Sequence, residues 1–393
     1  MRLAYSKQPI NPTDQNHGVG DDDGMSETTA VPLSNDTIFD ILCRTPFRSV
    51  CRFRCVSRGW PDLISAPDFA AAHRSRHGPL LVDTGYFRQE KPAAGRDMRL
   101  MDMEGNVIRV IRVVGGFGIT CSSSLDDLIA VSRGPSNGIH VVDPATGEVL
   151  LTCPPMEVKT LEVHPFIAMA RYEIYGFGRA ISSDEYKVVR IAKDKRTCEV
   201  LTLGDDPSSA WRRTLPPPIS VPTDVGSPVA VNGIMYFLAD ETRETLLCFD
   251  IESEQWKANM IKGPRKGNPL EMRRKTAAIC ISELNGALCM VIAEKQDSRS
   301  TNIWTLDDSG KINWIKAYSI PMTPYTSRYM PLMVMPGGGK LLLQCHGPAQ
   351  SVILQIYDPR TNTSTHVMKA PKQLGDRIAI CNFRFHRRVS ANN

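Results

Sequence analysis

Apolar side chains recur at helical spacing in one stretch, Leu33 to Phe69: at Ile38, Ile41 and Leu42, then Phe47, Val50, Cys51 and Phe53, then Val56, Trp60, Leu63 and Ile64. Residues three and four apart share one face of an α-helix, so three short helices are predicted. Ser34 and Asn35 carry oxygens that can accept from the free N–H groups of a first turn, and Pro46 and Pro67 bound the cluster. About forty residues bury too little surface to be stable alone, so the unit is expected to dock on something.

From about Pro79 onward the pattern changes to short alternating apolar runs broken by turn residues, which is an all-β text. One unit recurs, an apolar run that ends at Asp before a turn: Arg99 to Asp102, Ile139 to Asp143, Val200 to Asp205, Leu246 to Asp250, Ile303 to Asp307 and Leu354 to Asp358. Trp211, Trp256 and Trp314 each lie six residues after an Asp. The Asp is expected to start the turn by accepting from the backbone two residues on, and the Trp to pack over the hairpin between neighbouring blades. The period is near the ~50 residues of kelch-like blades, which predicts a six-bladed β-propeller. Asn232-Gly233 and Asn285-Gly286, flanked by apolar runs, are type I′ hairpin signals. The uneven spacing also fits a pair of β-sandwiches. The expected fold is thus α+β overall, a small three-helix unit followed by an all-β domain, a kelch-like propeller of about six blades.

Two resemblances sharpen this. Leu33 to Val50, then Cys51-Arg-Phe-Arg-Cys-Val-Ser-Arg-Gly-Trp60 and Leu63-Ile-Ser-Ala-Pro-Asp-Phe69, resembles the F-box. Asp143 to Glu148, Tyr175 to Gly178 followed by Asp184 to Arg190, Cys198 to Gly204 leading to Trp211, Val231 to Leu238, Phe249 to Trp256, Glu283 to Cys289 and Ile303 to Leu306 resemble, in order, the plant F-box-associated domain. The resemblance implies an F-box over 31–77 and an F-box-associated propeller over 78–383. A disordered tail over 1–30 and a flexible basic tail over 384–393 are expected to flank them.

The resemblance also implies a function. The chain would be the non-catalytic substrate-recognition subunit of an SCF-type E3 ubiquitin ligase. Its helices would bind a Skp-type adaptor, and through it cullin and RING subunits, by way of Leu33, Ile38, Ile41, Leu42, Pro46, Val50, Phe53, Val56, Trp60 and Ile64. The propeller would present a protein target whose identity the resemblance does not give. Two alternatives are an F-box module acting with the adaptor outside a ligase, and a propeller enzyme acting on carbohydrate. Ser34 stands where the F-box usually has the Pro of its opening Leu-Pro pair, Thr45 where it has the Leu of a second such pair, and Pro61 follows Trp60 where a polar residue is usual. Thr45 removes an apolar side chain from the expected adaptor face, and Pro61 is expected to kink or shorten the third helix.

Composition narrows the alternatives. The net charge of +5 is mild and spread along the chain, which disfavours nucleic acid. Arg44, Arg48, Arg52, Arg54 and Arg58 do cluster, as expected for a surface complementary to an acidic adaptor. The 11 cysteines show no zinc or redox spacing; Cys51 and Cys55 read as a buried helical pair, and His73 and His77 as an exposed helix end or linker. With no apolar run of signal-peptide or membrane-spanning length, cytoplasm and/or nucleus is expected and a membrane is not. Gly115-Gly116-Phe117-Gly118 and Tyr175-Gly176-Phe177-Gly178 lack a following helix and Lys-Ser/Thr, so they read as tight strand ends rather than phosphate loops. No catalytic set, cofactor or metal is expected. Recognition is expected on propeller loops, with the connections over Lys262–Arg274 and Glu294–Thr301 as candidates.

Overall fold

The computed structural model describes residues 33–87, 96–112, 119–125, 128–133, 138–144, 147–153, 173–192, 197–204, 211–221, 227–239, 244–295, 299–307, 312–323, 326, 328–347, 352–367 and 378–381. The expected tails and the Gly115 to Gly118 turn lie outside these residues.

Four helices open the described chain rather than three. In α1 (Asn35–Cys43) the Ser34 hydroxyl accepts from the Thr37 N–H at 3.2 Å, as its position before the first turn predicts. Pro46 precedes α2 (Phe47–Phe53). In α3 (Trp60–Ser65) Pro61 falls in the first turn, where a backbone N–H has no intrahelical partner, so no kink is required there; of the kinked or short helix expected, the short one is found, at six residues. Pro67 does not end the cluster. It is the first residue of α4 (Pro67–His77), where its fixed φ suits a helix start, and Gly78 ends that helix in a positive-φ conformation.

Among the described residues, twenty-five strands follow in six antiparallel sheets. The first takes β1 (Leu80–Phe87), β2 (Arg96–Met101) and β3 (Val107–Arg112). The second takes β4 (Ile119–Leu125), β5 (Leu128–Arg133), β6 (Ile139–Asp143) and β7 (Glu148–Cys153). The third takes β8 (Glu173–Arg179), β9 (Tyr186–Ala192), β10 (Cys198–Thr202) and β11 (Arg212–Thr214). The fourth takes β12 (Val229–Val231), β13 (Ile234–Leu238), β14 (Thr245–Asp250), β15 (Gln255–Trp256) and β16 (Ile261–Lys262), and α5 (Pro269–Lys275) follows it. The fifth takes β17 (Thr276–Leu284), β18 (Ala287–Glu294), β19 (Ser300–Asp307) and β20 (Asn313–Pro321). The sixth takes β21 (Arg328–Val334), β22 (Leu341–His346), β23 (Val352–Asp358) and β24 (Thr363–His366). The last strand, β25 (Ile378–Cys381), returns to the first sheet and pairs with β1, Leu80 facing Cys381 and Asp83 facing Ile378. Strands β25, β4, β8, β12, β17 and β21 neighbour one another in that order around the axis, which closes a six-bladed propeller.

Among the described residues, Asp143, Asp250, Asp307 and Asp358 end the third strand of their blades and Asp102 follows the third strand of the first, while Asp205 lies outside the described residues. Asp250 accepts from the N–H groups of Glu252 and Ser253, Asp102 from Glu104 and Asn106, and Asp358 from Arg360. The Trp residues bolt blades together. Trp256 on β15 donates to the Leu215 carbonyl of the preceding blade at 2.8 Å, and Trp314 on β20 does the same to Lys262 at 2.7 Å. Each puts an apolar ring over the seam and spends its one polar group on a backbone acceptor across it. Asn232-Gly233 and Asn285-Gly286 close the β12–β13 and β17–β18 hairpins with positive φ at both residues, as type I′ turns require.

Because strands alternate in direction, the connections sort to two ends. The helical module, the Asn-Gly hairpins and the Asp turns lie at one end, where the inner strands finish. The blade-to-blade connections, the α5 segment and the β18–β19, β20–β21 and β22–β23 links lie at the other.

The Tyr175 to Gly178 motif is not a strand end. It runs through β8, on the inner edge of the third blade. A Cβ on Gly178 would meet Ile251 and the Ala230 Cβ, both fully or nearly fully buried. The blades can approach here only because the side chain is missing. Gly178→Ala is expected to cost about 1–3 kcal/mol of stability by overpacking, read as a lower urea midpoint, whereas Gly59→Ala, whose Cβ meets nothing within 4 Å, should leave the midpoint unchanged.

Candidate functional site

The helical module has an inside and an outside. Leu42, Cys43, Phe47, Val50, Ile64 and Phe69 form one buried cluster that continues into Leu80, Val82, Met98, Leu100 and Ile111 of the first blade and Ile129, Val131 and Val142 of the second. A unit too small to be stable alone is thus completed by the propeller. Three of the residues expected to touch an adaptor, Leu42, Val50 and Ile64, are at most 1% exposed. They cannot present surface to a partner; packing on the first two blades takes them inward, and their role is to hold the module together.

The other seven divide by exposure. Leu33, Ile41 and Val56 are 61%, 49% and 64% exposed, and Pro46 is exposed as well. Ile38, Phe53 and Trp60 are half-buried against the cluster, Phe53 and Trp60 meeting edge to face at 5.7 Å. Leu33 and Ile41 belong to α1 or its lead-in, Pro46 to the start of α2, and Val56 to the α2–α3 link. Uncovered aliphatic side chains among exposed Arg48, Arg52 and Arg58 are what a partner with apolar sockets and acidic surroundings would fit. Arg44 is used within the chain: with Arg76 it grips Asp40, at 2.8 and 2.9 Å, and the two guanidinium groups hold that carboxyl below its usual range. Thr45 turns its hydroxyl back to the Ile41 carbonyl at 2.8 Å.

Sequence reasoning missed what ties α4 to the rest. His73, expected to be exposed, is buried and donates from Nε2 to the Thr45 carbonyl at 2.9 Å; His77 donates to the Cys43 carbonyl at 3.1 Å and stacks on His73 with ring centres 4.4 Å apart. Cys43 ends α1 and Thr45 lies two residues beyond it, so His77 supplies a partner that a helix C-terminus lacks and His73 one for the turn that follows. Helical spacing of the histidines was visible in the sequence; their acceptors, about thirty positions upstream, were not. Cys51 is half-buried and Cys55 exposed, so they are not the buried pair expected. Burial pushes the Cys51 thiol up to about 11, with Arg109 and Asp143 of the first two blades near enough to act on it.

At the far end of the propeller a cavity of about 770 Å³ opens between the fifth and sixth blades. Lys295, Arg299, Arg328 and His346 line it, beside Met322 and Thr326. The segment Glu294–Thr301 expected to carry recognition supplies two of these. Lys262–Arg274 does not reach the cavity lining and is not a plain loop, since α5 begins within it. Among the described residues no group of three His, Cys, Asp or Glu side chains is placed to hold a metal ion.

Comparison with known proteins matches this arrangement in order. The family described as F-box domain matches residues 33–70, and the family described as F-box associated beta propeller domain matches residues 121–387. Among Arabidopsis thaliana relatives, F-box protein At1g47340 is 24% identical over 364 residues, covering 85% of this chain and 74% of the relative. F-box protein At5g65850 is 27% identical, covering 74% and 72%, and F-box/kelch-repeat protein At4g19930 is 26% identical, covering 71% and 67%.

Burial and the nearby His77 lower the His73 pKa below its ordinary 6.5, against the raising effect of the Thr45 carbonyl. As pH falls the unfolded chain takes up this proton first, so the contribution of His73 is complete above about pH 6.5 and is lost progressively below it. Protection of amides in peptides spanning α1 to α4, exchange being measured against the intrinsic rate at each pH, should therefore fall between about pH 7 and 5.5. His73→Gln, which can still donate to Thr45, should flatten that dependence.

Proposed function

The chain belongs to the F-box proteins whose β body is an F-box associated beta propeller domain, and from that premise we propose that it is the substrate-recognition subunit of an SCF-type E3 ubiquitin ligase. Its helical module binds a Skp-type adaptor through Leu33, Ile41, Pro46 and Val56, with the rims of Ile38, Phe53 and Trp60, and through the adaptor joins cullin and RING subunits. The propeller holds a protein target at the end away from the adaptor. The chain contributes proximity between that target and a ubiquitin-charged enzyme, so it needs no catalytic group of its own. This reading places the protein in the cytoplasm or nucleus, where its nine described free cysteines stay reduced.

The observation that carries the reading is the two-sidedness of the module. One set of its apolar side chains is spent on the first two blades, while another, centred on Ile41, is left uncovered at the end of the molecule. A helix exposing isoleucine beside a buried leucine is not needed for stability. One observation favours a second reading, in which adaptor binding occurs without a ligase. The Thr45 hydroxyl occupies a place where an apolar contact is expected, so the adaptor surface is smaller.

Co-expression with a Skp-type adaptor followed by cullin capture separates the two: a complex that recruits cullin supports the ligase, and one that does not supports the second reading. Ile41→Asp is expected to weaken adaptor capture at least about tenfold, a loss of about 1.4 kcal/mol or more, with an unchanged circular dichroism spectrum. Leu42→Ala is expected instead to lower module stability by about 2–5 kcal/mol, because it empties a core position. Equal loss of capture in a folded Ile41→Asp and in wild type lacking the module would confirm the surface; retention of capture would rule it out.

A further inference from the structure

We propose that the cavity between the fifth and sixth blades is the seat for an acidic segment of the protein target, one that brings at least two negative charges within reach of Lys295, Arg299 and Arg328. The proposal rests on the receptor reading above and names the chemistry that reading leaves open.

The argument begins with how this chain treats its other cations. Within the blades, three buried or half-buried guanidinium groups are matched to a carboxylate, Arg99 to Asp83, Arg190 to Glu199 and Arg265 to Glu244, and exposed Arg212 is matched to Glu254. That is the expected cost of packing charge into a β fold, since an unmatched buried ion loses its hydration without compensation. Lys295 and Arg299 are exposed and Arg328 is half-buried, so solvent meets much of their charge: among the described residues none of the three has an ion-pair partner, and none of the described residues lining the cavity they share is Asp or Glu. His346 adds a fourth basic side chain to the same wall. Cations gathered in a concavity raise the local potential by more than the same charges spread over a convex surface, which draws anions in.

The positions are fixed rather than chance. Lys295 follows β18, and its N–H donates to the Lys275 carbonyl at 2.8 Å. Arg299 precedes β19, and its carbonyl accepts from the Met322 N–H at 2.7 Å. Arg328 is the first residue of β21 and faces His346, the last of β22, in register. Three links from two blades are therefore pinned before any ligand arrives, which reduces the entropy lost on binding.

Size and lining point to a segment of chain rather than a bare ion. The volume, about 770 Å³, lies in the range of sites that enclose a medium-sized organic group. Met322, Ala277 and Ala278 give the wall an apolar part, which suits the aliphatic stem of Glu or the backbone beside Asp. The site also lies at the end opposite the module, so an occupant would not compete with an adaptor.

The test uses the full chain in complex with its adaptor and a fluorescein-labelled peptide of alternating Glu and Gly, with the Gln-for-Glu peptide as its neutral twin. Anisotropy should show saturable binding of the Glu peptide that weakens with added salt, and none of the Gln peptide. Arg299→Glu and Arg328→Glu should each weaken it at least about tenfold, as expected for loss of a charge-assisted contact. Arg360→Glu, at the opposite end of the propeller, should leave it unchanged. Absence of binding, or binding indifferent to Arg299 and Arg328, would overturn the proposal. So would displacement-sensitive binding of pyrophosphate at these residues without peptide binding, which would make this a small-anion site. Failure of the adaptor complex to form would instead count against the receptor reading, and repeating the titration on the chain alone would still decide the cavity.

Discussion

Four backbone pairings hold this molecule in its form: those between Ile378–Cys381 and Leu80–Asp83, where the last strand lies against the first. A propeller has no other means of closing, because every other blade is made from contiguous chain and would be satisfied in an open arc. The strand that accepts the closing segment is also the one that leaves the helical module, two residues after Gly78. Closure of the ring and seating of the module are thus the same event seen from two sides of β1. The single apolar cluster running from Leu42 through Val82 to Val142 is its consequence in packing.

Around that closure the blades are joined by devices repeated at equivalent places. The indoles of Trp256 and Trp314 reach back to the preceding blade, and the side-chain-free edge of β8 lets Met235 and Ile251 of the fourth blade approach the third. Buried ion pairs such as Arg190–Glu199 sit inside blades, and the Arg190 guanidinium also lies 3.9 Å from the Trp211 ring centre. Burial of such pairs stabilises little in net terms, but leaving one partner alone would be costly.

What could be read from the sequence was whatever is encoded within a dozen residues. The Ser34 cap, the Asn-Gly hairpins, the Asp turns and the six-fold recurrence are all short-range signals, and each appears where its local chemistry puts it. What could not be read depends on distant chain. Ile41 and Leu42 are adjacent, both apolar and both compatible with a helical stripe; only the docking of α1 against the first two blades decides that one is outside and the other inside. The fourth helix escaped because Pro67 resembles a terminator as much as an initiator, and proline serves as either. The cavity was half visible, since Lys295 and Arg299 lie in a connection read as exposed, but Arg328 and His346 join them only through the pairing of β21 with β22.

The sorting of connections to two ends has a further consequence for how such a chain can diversify. At the module's end the turns include the two-residue β12–β13 and β17–β18 hairpins and the Asp-anchored loops at Asp102, Asp250 and Asp358, whose geometry tolerates no added residue without shifting a strand pairing. At the other end lie the connections after Lys262, Lys295 and Pro321, and lengthening a surface loop costs little entropy. Insertions and substitutions are therefore absorbed on one face while the distance and angle to the helices stay constant. Such an architecture permits specificity to drift without retuning the machinery it plugs into, an inherited handle with an interchangeable working edge.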